Sequence, residues 1–109
     1  MKKGKFITFE GPEGSGKTTQ TGHLKNYLET IGHVVERYRE PGATPLGEEV
    51  RIILQHHQFA EPIGAQTELL LFEAARAQLV QEKIRPTLEN GNIVLCDRYD
   101  ILPTLKVFC

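Results

Sequence analysis

The chain has 109 residues, enough for one hydrophobic core and too few for two domains of ordinary size. With 39% hydrophobic and 25% charged residues its composition is globular, which excludes wholesale disorder, collagen-like repeats and a coiled coil. A formal net charge of −1 supplies no basic field for nucleic acid or an anionic membrane, so any phosphate recognition must be local.

The two cysteines, Cys96 and Cys109, cannot build a disulfide framework and stand in no metal-ligand pattern, so a reducing cytoplasm fits best. The apolar run after Lys2 and Lys3 is closed at Glu10, too early for a signal peptide, and no stretch approaches the roughly 20 residues of a membrane span.

In chain order, Lys5 to Glu10 (KFITFE) is short and rich in aromatic and β-branched residues, which predicts a buried strand stopped by Gly11 and Pro12. From Lys17, the spacing of Leu24, Tyr27, Leu28 and Ile31 predicts a helix of about four turns capped by Gly32. Val34 to Arg39 reads as a second strand, and the prolines and glycine of EPGATP force a loop after it. Leu46 to Gln55 reads as a short helix with Val50, Ile53 and Leu54 inward, followed by His56 and His57 as exposed loop residues.

A long helix is predicted over Gln66 to Leu88, with Leu70, Ala74, Ala77, Ile84 and Leu88 on one face. Leu69, Phe72, Leu79 and Val80 form a second apolar stripe opposite, so the helix should be covered on two sides. Asn92 to Asp97 (NIVLCD) has the continuous apolar character of a strand buried on both faces. The order β-α-β-α-α-β implies parallel pairing and a three-layer α/β sandwich. Ile101 to Cys109 completes no element.

Gly11-Pro12-Glu13-Gly14-Ser15-Gly16-Lys17-Thr18 fits the P-loop pattern GxxxxGK(S/T), with a strand before it and a helix after it. Such a turn points backbone N–H groups at phosphate oxygens. Lys17 then reaches the β and γ phosphates and the Thr18 hydroxyl can ligate Mg²⁺, so a nucleoside triphosphate such as ATP is the expected ligand. Thr19 can be a helix residue only. A carboxylate at Glu13 must face something other than phosphate: a sugar hydroxyl, a metal-bound water or plain solvent.

Asp97-Arg98-Tyr99 ends the last strand at the edge where open α/β sheets bind ligands. Asp97 there can hold Mg²⁺ through water and Arg98 can pair with a phosphate, converging with the P-loop on one crevice; alternatively the two make a surface salt bridge. Phe72 and Arg76, four apart on the long helix, can present a ring and a donor fork to a heterocyclic base. Periodicity by itself favours Phe72 in the core and Arg76 in a surface pair with Glu73 or Glu82. Arg51 has the same bland option with Glu48.

Taken together, GPEGSGKTT, REPGATPLGEEVR, LLLFEAARAQ and CDRY resemble four successive N-terminal motifs of bacterial thymidylate kinases, over residues 5–99. The resemblance implies transfer of a phosphoryl group from ATP to dTMP with Mg²⁺, on a P-loop sheet whose third strand lies between the first two. It places ATP phosphates on Gly14 to Thr19, the magnesium shell on Thr18 and Asp97, the dTMP phosphate on Arg98 and the dTMP sugar near Glu13. It also puts thymine against Phe72 and Arg76, and makes Arg51, Glu40, Pro41 and Gly42 a wall of the acceptor site. A homodimer packed through the long helix would explain the second stripe.

Residues 100–109 depart from the family pattern, and no basic residue here matches the catalytic arginine that the family's lid supplies. The expectation is therefore a single partial P-loop kinase domain, truncated after its third strand and inactive by itself. The alternatives are a nucleotide-binding fragment without catalysis and another P-loop small-molecule kinase.

Overall fold

In the computed structural model, which describes residues 4–11, 16–56 and 58–99, the elements alternate as the sequence predicts. They are β1 (Lys5–Gly11), α1 (Lys17–Thr30), β2 (Val35–Glu40), α2 (Pro45–His56), α3 (Ala65–Leu79), a π-helical turn (Val80–Ile84), α4 (Arg85–Glu89) and β3 (Ile93–Tyr99). The strands form one parallel sheet in the order β1-β3-β2, so the last strand is the central one. That position demands apolar side chains on both faces, and Ile93, Val94, Leu95 and Cys96 are all buried.

Chain direction across the sheet builds the three layers. The crossover from β1 passes β3 to reach β2, and the return to β3 travels the opposite way, so right-handed connections put the two sets of helices on opposite faces. On one face Leu24 and Leu28 of α1 pack over Val35, Ile93 and Leu95, with Ile7 and Phe9 alongside. On the other, Leu79 and Ile84 cover Val94 and Cys96, flanked by Tyr38, Val80 and Leu88. A further cluster joins Val50 and Leu54 of α2 to Phe72 and Ala75 of α3.

Several boundaries move for local reasons. β2 starts at Val35 and runs to Glu40, one residue later at each end than expected, and just before it the carbonyl of exposed Val34 accepts from Ile93 N at 2.9 Å. α2 begins at Pro45 because Thr44 caps it: Thr44 Oγ1 accepts from Gly47 N at 2.8 Å, and proline suits a first position that needs no donor. Gly32, with φ 99°, ends α1 by turning the chain so that His33 N reaches Leu28 O at 3.0 Å. Of the residues whose spacing predicts α1, Tyr27 and the capping Ile31 are exposed, and Thr21, Leu24 and Leu28 define the inward face.

The long helix is real but not uniform. Pro86 cannot donate to a carbonyl one turn earlier, and the π turn just ahead of it absorbs the mismatch. Such a turn lags an α-helix by roughly a quarter of a rotation. Ile84 and Leu88, which straight-helix spacing aligns with exposed Leu70, Ala74 and Ala77, are thereby carried round to join Leu79 against the sheet. The two predicted stripes are thus re-sorted: Phe72, Ala75, Leu79 and Ile84 are buried, while Leu70 stays 68% exposed.

Candidate functional site at the strand ends

All three strands point their C-terminal ends at one edge, and strand alternation sorts the side chains there. On β3 the odd positions face α1 and the even ones face the end of α3, the π turn and α4. Adjacent Asp97 and Arg98 therefore serve opposite faces of the sheet rather than pairing with each other. Asp97 meets α1 and β2, and Arg98 meets α3 and β1.

On the α1 side, Gly16 adopts φ 85°, a left-handed conformation that suits glycine, and delivers the chain into the helix at Lys17. Lys17 is 4% exposed and its Nζ donates to the carbonyl of Arg98 at 2.8 Å. Thr18 and Thr19 are exposed at the helix head. Thr21 Oγ1, fully buried, lies 2.7 Å from both Lys17 O and Asp97 Oδ1 and shares its one proton between them. Asp97 Oδ2 is held by Arg37, 3.0 Å from Nε and 2.9 Å from Nη2. Pro12, Glu13, Gly14 and Ser15 of the P-loop pattern lie outside the described residues, as do His57 and residues 100–109.

On the α3 side the register lines up Glu10, Arg98 and Glu40 across the sheet. Arg98 Nη1 donates to Glu10 Oε1 at 2.9 Å, and its guanidinium carbon stands 5.0 Å from the centre of the Phe72 ring. Phe72 is 1% exposed, so its ring belongs to the core, with the Arg98 guanidinium over its face. Arg76 Nε lies 3.3 Å from Glu40 Oε1, across the fold rather than along its own helix. Glu82 instead accepts from Gln78. Arg51 Nη1 donates to Pro41 O at 3.1 Å, and Glu48 pairs with Arg39. His56 is the exposed last residue of α2.

Glu40 is the anomaly of the site. It is 1% exposed and neither carboxylate oxygen accepts a hydrogen bond from the described residues. Burial pushes its pKa up, nearby Arg76 and Arg98 pull it down less strongly, and Glu73 and Glu10 add to the rise.

The residues that sequence reasoning missed are Thr21, Arg37 and Glu10. Thr21 carried a faint signal as a polar residue four positions after the P-loop lysine, on the helix face toward the sheet. Arg37 and Glu10 carried none, because only strand register brings them to Asp97 and Arg98.

A parallel sheet whose first strand is followed, beyond residues 12–15, by Gly16 in the left-handed conformation and a buried lysine at a helix head fits the P-loop class of nucleotide-binding fold. Comparison with known proteins narrows the class. Residues 9–101 match the family described as Thymidylate kinase. Thymidylate kinase of Deinococcus radiodurans is 55% identical over 100 residues, which are 91% of this chain and 47% of that protein. That of Protochlamydia amoebophila is 53% identical over 98 residues, 90% of this chain and 44% of that protein. A crystal structure of thymidylate kinase from Ehrlichia chaffeensis superposes with a TM-score of 0.76 at 44% identity, covering 89% of this chain and 54% of that one. The chain belongs to the thymidylate kinase family. It spans about half the length of the relatives it matches. No helix among the described residues is long and apolar enough to cross a membrane.

Proposed function

We propose that the chain forms one P-loop unit that binds ATP and dTMP for transfer of the γ-phosphoryl group to dTMP in the cytoplasm, giving dTDP. The observation that carries this is the division of the strand ends into two sides that touch: Lys17, of one side, donates to the backbone of Arg98, whose side chain belongs to the other. A triphosphate on Gly11 to Thr19, with Glu13 beside the acceptor's sugar, would then lie next to a monophosphate held by Arg98. Thymine would lie against Phe72 with Arg76 at its edge, and Glu40, Pro41 and Arg51 would wall the pocket. In the transfer, an oxygen of the dTMP phosphate forms the new bond to the γ phosphorus, the bond to the β-phosphate oxygen breaks, and Lys17 and Arg98 spread the developing charge.

Among the described residues no three His, Cys, Asp or Glu gather into a cage, which suits a magnesium ion carried by the triphosphate. Exposed Thr18 fits as a ligand of that ion, whereas Asp97, 3% exposed with its oxygens engaged by Thr21 and Arg37, would serve the ion's water shell only by releasing one of those partners. When bound, magnesium supplies charge neutralisation on the phosphates. The stripe of Leu69, Phe72, Leu79 and Val80, expected to lie under a dimer partner, packs into the core, so a second copy of the chain would instead meet exposed Leu70, Ala74 and Ala77 of α3.

One observation favours a second reading, a nucleotide-binding unit without turnover: the chain spans about half of its relatives. Titrating the purified chain with ATP and dTMP separately, then assaying dTDP by chromatography, tests both. Binding with dTDP formation supports transfer, binding without it supports the second reading, and binding of neither nucleotide overturns both.

A further inference from the structure

Nothing in the P-loop pattern calls for a charge in the middle of β2, yet Arg37 is there and reaches the head of α1. Its Nη2 donates to the carbonyl of Thr18 at 2.9 Å while Nε and Nη2 hold Asp97 Oδ2. Asp97 is 3% exposed, so its charge is desolvated and requires a partner. Thr21 closes the frame by joining Asp97 Oδ1 to the carbonyl of Lys17. Lys17, within that same first turn, sets its ammonium on the Arg98 carbonyl at the end of β3. The first-turn carbonyls of Lys17 and Thr18 thus each receive a side-chain donor on top of the helix's own bonds. β2, β3 and α1 are tied together within one turn of the phosphate cradle.

A cradle of backbone N–H groups and one lysine works by position, because its donors must stand where the phosphate oxygens arrive and a displacement of about 1 Å forfeits most of the benefit. We propose that Arg37 is a positioning residue for the triphosphate: by bridging Asp97 and the Thr18 carbonyl it presets the head of α1, and with it Lys17 and Thr18. The inference rests on the reading of Gly11 to Thr18 as a triphosphate cradle. In this role Arg37 would act through Asp97 and the Thr18 carbonyl, which already engage its fork, rather than on the phosphate. Its planar fork spans two acceptors on different elements; a lysine in its place keeps the charge beside Asp97 but offers only a point of attachment. Charge neutralisation and positioning are therefore separable by substitution.

The test is ATP affinity by titration calorimetry on the 109-residue chain, with Mg²⁺ and again in EDTA, each protein also melted thermally. The proteins are wild type, Lys17→Ala, Arg37→Lys, Arg37→Met and Thr21→Val. Expected is a loss of roughly tenfold in ATP affinity for Arg37→Met, the size of one charge-assisted hydrogen bond, with or without Mg²⁺. Arg37→Lys should melt close to wild type and still lose affinity, which a purely structural ion pair would not produce. Thr21→Val should lose affinity in the same direction. If Arg37→Met fails to fold, Arg37→Lys and Thr21→Val carry the test. Wild-type affinity in both Arg37→Lys and Thr21→Val, or tighter Mg²⁺-dependent binding in Arg37→Met through a freed Asp97, overturns the proposal. ATP binding that Lys17→Ala leaves intact overturns instead the cradle on which it rests, and the positioning role with it.

Discussion

Buried charge at the strand ends sets which single substitutions should be felt. Burial disfavours the charged form of Glu40: its pKa is raised because burial outweighs the pull of Arg76 and Arg98. For a group raised in the folded state, the contribution to stability is fully present below its unfolded pKa and is lost as pH rises through its folded pKa. Glu40→Gln should therefore melt above wild type at neutral pH, with the gap closing in acid; thermal unfolding across pH checks it, and a constant gap would refute it. Arg76→Ala should weaken dTMP far more than ATP, by roughly 1.5–3 kcal/mol or about 10- to 150-fold, measured by separate titrations. Equal weakening of both nucleotides would return Arg76 to the role of partner for Glu40 alone. Cys96, its thiol pushed up to about 12 chiefly by burial, should resist thiol reagents at pH 8 in a Cys109→Ser chain until denaturant is added. The place of Arg98 at the strand end and the core burial of Phe72 were legible from motif and helix spacing, whereas Glu10, paired with Arg98 only through strand register, was not.

At the scale of elements the π turn decides the core as much as any side chain does. It places Ile84 and Leu88 against the sheet although Leu70 and Ala77, seven residues apart in the same series, face outward. Inserting one alanine after exposed Gln81 should advance the helix by roughly a further quarter turn and swing Ile84 off the sheet. The expected cost is that of losing a buried aliphatic side chain, about 2–5 kcal/mol, while Gln81→Ala costs little. Circular-dichroism melts of the two variants distinguish them; similar melting would mean that the turn carries no packing. A repeat of apolar residues announces a helix and its faces, but the pattern assumes a constant rotation per residue, and Pro86 breaks that assumption in a place the pattern cannot show.

Across the whole molecule, the described residues leave two apolar surfaces open: β1 at the sheet edge, where Phe6 is 39% exposed, and the Leu70 side of α3. Unpaired backbone donors on an apolar edge recruit other chains, and a helix face of this kind does the same. The purified chain should therefore self-associate, and Phe6→Lys together with Leu70→Lys should shift it toward monomer on size-exclusion chromatography. A wild-type chain that elutes as a monomer and unfolds cooperatively would overturn this expectation.

Local chemistry was enough to determine the alternation of strands and helices, the glycine turn into Lys17 and the buried character of 93–96, because turn residues, caps and apolar runs act over a few positions. The central place of β3 followed only from resemblance. The tertiary structure alone decided that Asp97 and Arg98 part to opposite faces, that Arg37 and Thr21 close around one carboxylate, and that Arg76 meets Glu40. Those pairings depend on strand register, helix phase and desolvation, and none of these is a property of any short stretch of chain.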